Sequence, residues 1–248
     1  YNDWLAEFCA HSPKRLKGLA LISLYDPKQA AQDLADCAKK GLAGAIIWAS
    51  PPDELPFHSE IYDPFWAAAQ ELKMPISLHE FAGMKWVDWD ENAQKRTVAQ
   101  AINSHEVEQS FATLIVSGVL ERFPGLKVVS AELNCGWLPF FLFRIEERFD
   151  ATGIRFRGTP FQTKLRLKPS EYFRRQLYAT FIDDGFGVAH RHDIGVENIL
   201  WSSDFPHSAT FWPKSREKIA HDFQSVSEAD KEKILWRNTA QLYGFNVS

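Results

Sequence analysis

The chain is 248 residues long, 45% hydrophobic and 24% charged, the composition of a globular protein with enough apolar material for one large core. Its net charge of −4, with acids and bases interspersed, provides no basic stripe for nucleic acid and no polybasic anchor for a membrane, and no apolar run reaches the ~18 residues that a spanning helix needs. Cys9, Cys37 and Cys135 lie in separate segments without CxxC spacing, which reads as reduced thiols in a cytoplasmic protein.

The chain opens at Tyr1 with no initiator methionine and no signal-peptide pattern, so an upstream segment is expected. Apolar runs bounded by turn residues then predict six strands: Leu19–Leu24, Ala45–Trp48, Ile76–His79, Val128–Glu132, Leu177–Ile182 and Ile199–Asp204. Helical stretches separate them. "DPKQAAQDLADCAKKG" has Asp26 as cap, Pro27 at the first helical position and Gly41 as stop, and "DPFWAAAQELK" repeats that opening at Asp63-Pro64. A longer helical insert runs from about Asn92 to Arg122 before the fourth strand. Strands alternating with helices predict parallel βα units, and the lack of repeats, low-complexity tracts or linkers predicts a single domain over residues 1–248.

In a parallel barrel the reactive side chains sit at the C-terminal ends of strands. Here the third strand ends at His79-Glu80, the fourth at Glu132, and the sixth at Asp204-Phe205-Pro206-His207. Imidazole and carboxylate together bind Zn²⁺ or Mn²⁺ and leave a position open for substrate or water. Each residue has an ordinary alternative: His79 as a hydrogen-bonded structural histidine, Asp204 as a turn-former, Glu132 as the partner of an arginine such as Arg144 or Arg175. Their joint placement at corresponding strand ends favours a metal site. His58, His105, His190, His192 and His221 lack partners at ligand spacing and read as surface or structural residues.

The segments "NDWLAEFCAHSPKRLKGLALI", "HEFAG", "SGVLERFPGLKVVSAELNCGW", "PSEYFRRQLYATF", "GVENILWSSDFPHS" and "RNTAQLYGF" resemble, in order, the amidohydrolase-related family that includes aminocarboxymuconate-semialdehyde decarboxylase and the resorcylate-type decarboxylases. The resemblance implies an α/β fold, a distorted (β/α)8 TIM barrel with a divalent metal ion at the C-terminal strand ends, zinc first and manganese second. It further implies that Asp204 is the metal-binding aspartate of the eighth strand and His79 the metal-binding histidine of the fifth. The family's first-strand histidine motif has no counterpart, since no HxH occurs. By that comparison the six strands are the third to the eighth, and roughly 60 residues with two strands and two ligands would precede Tyr1. Where the characterised decarboxylases carry a catalytic histidine, this chain has Glu132, which can act as a general base or metal ligand but not as a cationic acid.

Two reactions fit this set of residues. In hydrolysis, Asp204 takes a proton from an activated water and returns it to the leaving group; in non-oxidative decarboxylation, an acid protonates the ring carbon before carbon dioxide leaves. Asp204 and Glu132 are the catalytic candidates. His207, Trp137 and Trp212 are the substrate-binding candidates, and Phe81, Trp86, Trp89 and Phe205 join the two tryptophans either as walls for a flat, aromatic acid or, equally, as packing for the barrel rim and a subunit interface. Arg144, Arg174 and Arg175 are candidates to clamp a substrate carboxylate or to form surface ion pairs. The expected partner is a small-molecule substrate, with a homodimer left open. The competing reading is a metal-free barrel that binds a small carboxylate or uses only Glu132 and Asp204 as acid and base.

Overall fold

The computed structural model describes residues 1–79, 93–155 and 165–246. Its framework is one parallel sheet of six strands in sequential order: β1 (Leu19–Leu21), β2 (Gly44–Trp48), β3 (Ile76–His79), β4 (Val128–Ala131), β5 (Leu177–Phe181) and β6 (Ile199–Trp201). Parallel neighbours in chain order with a helix-containing crossover in each interval make the wall of a β/α barrel.

All six strands occur where the hydrophobic runs place them, but four end one to three residues earlier than the apolar pattern. Glu132 and Asp204 have φ of 67° and 52°, in the left-handed region where no strand can continue. The two site carboxylates therefore belong to sharp turns just past their strands.

Two faces follow from the register. Ala45, Ile47, Ile76, Leu78, Val128, Leu177 and Ala179 are buried with Leu34, Phe65, Trp66, Phe111 and Phe173 of the surrounding helices in one apolar cluster. The alternate residues face the other way, into the barrel: Trp48 pairs with His79, and His79 with Ala131. His79 thus stands on the interior at the C-terminal rim.

Helix α1 (Asn2–Ala10) precedes the sheet, and α2 (Pro27–Lys39) starts as its sequence demands: the Asp26 carboxylate accepts from the N–H groups of Lys28 and Gln29 at 3.1 Å, with Pro27 behind it. Helix α3 (Asp63–Leu72) does not repeat that cap. A 3-10 turn over Glu60–Tyr62 runs into it, so Asp63 is already helical and spends its carboxylate on Arg122 Nη2, 2.9 Å away. The insert before β4 is three helices rather than one: α4 (Ala93–Ala101), α5 (Ser104–Val116) and α6 (Val119–Arg122), with Gly118 taking φ of 81° between the last two. Helices α7 (Leu138–Arg155) and α8 (Pro169–Gln176) follow β4, and α9 (Gly185–Ala189) follows β5. The three cysteines are buried and unbridged. Among the described residues no helix is long and apolar enough to cross a membrane.

Candidate metal and acid–base site

Three of the residues singled out by the sequence meet at the C-terminal rim. His79 Nε2 lies 3.4 Å from Glu132 Oε1, and both side chains are about one-third exposed, at 33% and 29%. Asp204, only 9% exposed, hydrogen-bonds to Glu132 and has its Oδ2 3.1 Å from His207 Nδ1. The row His79–Glu132–Asp204–His207 draws on the ends of β3, β4 and β6, so no local segment could have shown it.

The electrostatics of the row are asymmetric. The hydrogen bond and charge of His79 hold the Glu132 carboxyl below its ordinary value, while burial and the neighbouring Glu132 push Asp204 up. Two carboxylates in contact cannot both be ionised cheaply, which is why the two groups are pushed apart, Glu132 down and Asp204 up.

The loop after β4 is fixed by its neighbour. Glu132 N–H donates to Thr180 Oγ1 at 2.9 Å, and Asn134 Oδ1 accepts from Ile182 N–H while its amide donates to Asp183 O. The Asp184 carboxylate accepts from Cys135 N–H at 2.7 Å, Gly136 N–H at 2.6 Å and Gly187 N–H at 2.8 Å. These bonds offset the left-handed φ values of Glu132 and Asn134, which cost about 1 kcal/mol or more apiece. Thr180, Asn134 and Asp184 are absent from the sequence-derived set; Asp184 before Gly185 signals a helix cap, and nothing in the linear chain shows that it also holds the Glu132 loop.

The turn at Asp204 is stabilised from within, by Asp204 N–H to Ser202 Oγ and Phe205 N–H to Ser203 Oγ, each 3.4 Å, and by His207 N–H to Asp204 O at 2.8 Å. The Phe205-Pro206 peptide is cis.

The remaining candidates disperse. Trp137 gives its N–H to Leu133 O and Asn134 O at 3.1 Å and packs on Phe111 and Phe141, behind the Glu132 loop. Trp212 is exposed and pairs with Phe205 at 5.2 Å, beside the Asp204 turn. His207 is 68% exposed, on the solvent side of Asp204. Glu80, Phe81, Trp86 and Trp89 lie outside the described residues. The proposed arginine partner of Glu132 is replaced by His79: Arg144 pairs with Glu147 one turn along its own helix, and Arg175 donates to Leu120 O at 2.8 Å. Arg174 and Arg175 precede β5, at the N-terminal end of the sheet, which rules them out as clamps at this site. His190, His192 and His221 are exposed and pair with Asp193, Asp230 and Asp222.

Among the described residues no three His, Cys, Asp or Glu side chains form a ready cage for a metal ion. The donors that do converge, an imidazole nitrogen and two carboxylates in one row, are nonetheless of the kind a hard or borderline divalent ion takes. A positive charge there would also relieve the contact between the two acids.

A β/α barrel wall with a histidine and two acids past the C-terminal ends of β3, β4 and β6 is the kind of arrangement that metal-dependent barrel enzymes use. The chain belongs to the amidohydrolase family, which it matches over residues 1–245. Gamma-resorcylate decarboxylases from Polaromonas sp. (strain JS666) and Rhodococcus jostii are 29% and 28% identical to it, covering 99% and 98% of this chain and 75% and 74% of their own lengths. Among solved structures, 5-carboxyvanillate decarboxylase from Sphingomonas paucimobilis superposes with a TM-score of 0.80 at 27% identity, over 98% of this chain and 71% of that one. A dihydroxybenzoic acid decarboxylase from Polaromonas sp. JS666, solved with bound manganese and the inhibitor 2-nitroresorcinol, superposes at 0.78 with 26% identity, over 100% of this chain and 74% of that one.

Proposed function

We propose that this protein is a metal-dependent carboxy-lyase that removes carbon dioxide from a small aromatic carboxylate without oxidation. The observation that carries this reading is the contact between Asp204 and Glu132, which together with burial pushes Asp204 above its ordinary value, the direction a proton donor needs. Hydrolysis calls first for a base, whereas decarboxylation of an aromatic acid calls first for an acid that can protonate carbon. Relatives named as decarboxylases, aligned over nearly all of this chain, support the same choice.

His79 and Asp204 are the residues that would hold the ion, with manganese, present in a solved relative, tested before zinc, which the sequence alone favoured. When bound, the ion would supply positive charge to hold the substrate carboxylate. The Asp204–Glu132 pair then gives its proton to the ring carbon bearing the carboxylate. The bond to the carboxylate breaks, its electron pair returns to the ring, and carbon dioxide leaves. His207, in contact with Asp204 and open to solvent, returns a proton to the pair. Glu132, tied to His79 and through its N–H to Thr180, is held with its carboxyl beside Asp204.

The test is incubation of the manganese-loaded protein with hydroxylated benzoates in deuterium oxide. Carbon dioxide release with one deuteron on the vacated ring carbon is expected. Hydrolysis of esters, amides or lactones without any carbon dioxide from aromatic acids would overturn the assignment, and protein that takes up no divalent ion would favour the metal-free reading.

A further inference from the structure

A cavity of about 480 Å³ opens at the N-terminal end of the sheet, opposite the rim that carries His79 and Glu132. Pro75 and Lys127 in its lining immediately precede β3 and β4, Tyr178 is the second residue of β5, and Gln241 and Leu242 come from the C-terminal helix Asn238–Tyr243. The whole of β4 separates Lys127 from Glu132, so this cavity is distinct from the metal and acid–base site.

Its charge is unbalanced. Lys127 is partly buried; its ammonium donates to Arg175 O and lies 5.9 Å from the centre of the Tyr178 ring, yet it meets no carboxylate among the described residues. Burial, and then the nearby Arg175 guanidinium, lower it from its ordinary value. Arg175 does not relieve the surplus, because its own hydrogen bonds go to neutral groups, Gln176 Oε1 and Leu120 O. Lys73 brings a second ammonium to the lining, exposed and without an ion pair among the described residues. Glu197, the carboxylate in the lining, is already taken by Lys233 at 2.7 Å. An ammonium drawn partly out of water with no opposite charge is costly, which is the state of a site whose counter-charge arrives with a ligand.

The neutral groups around it add donors. The Tyr178 hydroxyl has no hydrogen-bond partner among the described residues. Unlike the indole N–H groups of Trp48 and Trp66, which are sealed in the interior, it is open to the cavity. Gln70 accepts from Gly125 N–H at 2.7 Å through its amide oxygen, which leaves its amide nitrogen to donate. Ammonium groups act as point charges and suit a tetrahedral dianion, whereas a planar carboxylate is best met by a guanidinium fork, and that of Arg175 is in use. Pro75 and Leu242 supply an apolar wall, and the volume is in the range of small-molecule pockets.

We propose that this cavity binds a phosphate group, with Lys127 and Lys73 meeting its charge and the Tyr178 hydroxyl donating to one of its oxygens. The site is separate from the reaction and does not rest on the decarboxylase reading.

The experiment uses the full chain loaded with manganese and measures binding of phenyl phosphate and of sulfate by calorimetry, with sodium chloride added to constant ionic strength. Lys127→Met keeps the length of the side chain and its packing on Tyr178 while removing the charge. Affinity for both anions should fall about tenfold or more in Lys127→Met and about threefold in Tyr178→Phe. Lys73→Gln, at an exposed position that leaves the packing untouched, should also lower affinity about threefold and keeps the test open where Lys127→Met folds poorly. Asp204→Asn, at the other end of the sheet, should bind both anions as the unmutated chain does. Phenyl phosphate bound more tightly than sulfate assigns the site to a phosphate ester, and equal affinities assign it to a free tetrahedral anion. In buffer without either anion, Lys127→Met should melt no lower than the unmutated chain, since it loses an uncompensated charge. No binding of either anion, binding unaffected by the Lys127 and Lys73 substitutions, or binding abolished by Asp204→Asn would overturn the proposal. So would a Lys127→Met protein that melts clearly lower and binds as before, which would make Lys127 a structural tie to Arg175.

Discussion

The two ends of the sheet are built on opposite terms. At the N-terminal end, buried amide side chains satisfy backbone carbonyls that the strand and helix ladders leave over. Gln176 donates to Phe123 O and Leu126 O, Asn198 to Arg174 O and Leu177 O, and Asn238 to Val196 O and Ile199 O, all at 2.8 to 3.1 Å. At the C-terminal end, Glu132, Asn134 and Asp204 have left-handed φ values, two carboxyl groups touch, and the Trp48 N–H is left over. Satisfied amides at one end and strained acids at the other match the division between stability and chemistry expected of the two faces of a β/α barrel. Thr180 and Asp184, which hold the strained loop in place, are the link between them.

The sharpest way to break this contrast is Asp204→Asn. Activity should fall by about 10³-fold or more, because the carboxylate proposed both to pass the proton and to hold the metal is lost, while the fold persists. A variant that turned over normally but melted early would place Asp204 with the stabilising groups; turnover, metal content and melting of one preparation decide. Glu132→Gln should lower turnover by about 10²-fold and weaken the tie to His79, with the fold intact, as read by steady-state rates and circular dichroism. Unchanged turnover would make Glu132 structural.

The opposite end should respond in the opposite way. Asn198→Ala strands the carbonyls of Arg174 and Leu177 in the interior and should cost about 2 kcal/mol of stability, with activity per folded molecule unchanged; denaturant unfolding and active-site titration measure the two. A loss of turnover exceeding the loss of folded protein would dissolve the distinction.

The smallest effect is a pH signature in the metal-free protein. Asp204 is pushed up, so its contribution to stability is present below the ordinary carboxylate range and is lost as pH rises through its raised value. Glu132 is held down, so its contribution is present above its ordinary value and is lost as pH falls through the lowered one. Metal-free Asp204→Asn should therefore melt slightly higher than the unmutated protein at neutral pH and no higher at low pH. Melting curves at both pH values test the sign.

Much of this molecule can be read from its linear order. Six apolar runs between turn residues specify the six strands, because a strand buried under helices must be apolar, and the Asp26-Pro27 opening specifies α2 because its carboxylate and missing N–H act within one turn. His79, Glu132 and Asp204 stand out because each closes a strand predicted from the apolar pattern. The same opening at Asp63 misleads, since a 3-10 turn ahead of it and Arg122, 59 residues later, decide what that carboxylate does. Which histidine meets Glu132, which acid is pushed up, and which tryptophan stands beside the site depend on register between strands and on burial. Distances across a sheet are set by pairing partners far apart in the chain, and a proton's position is set by the charges those partners bring together; only the tertiary structure supplies either.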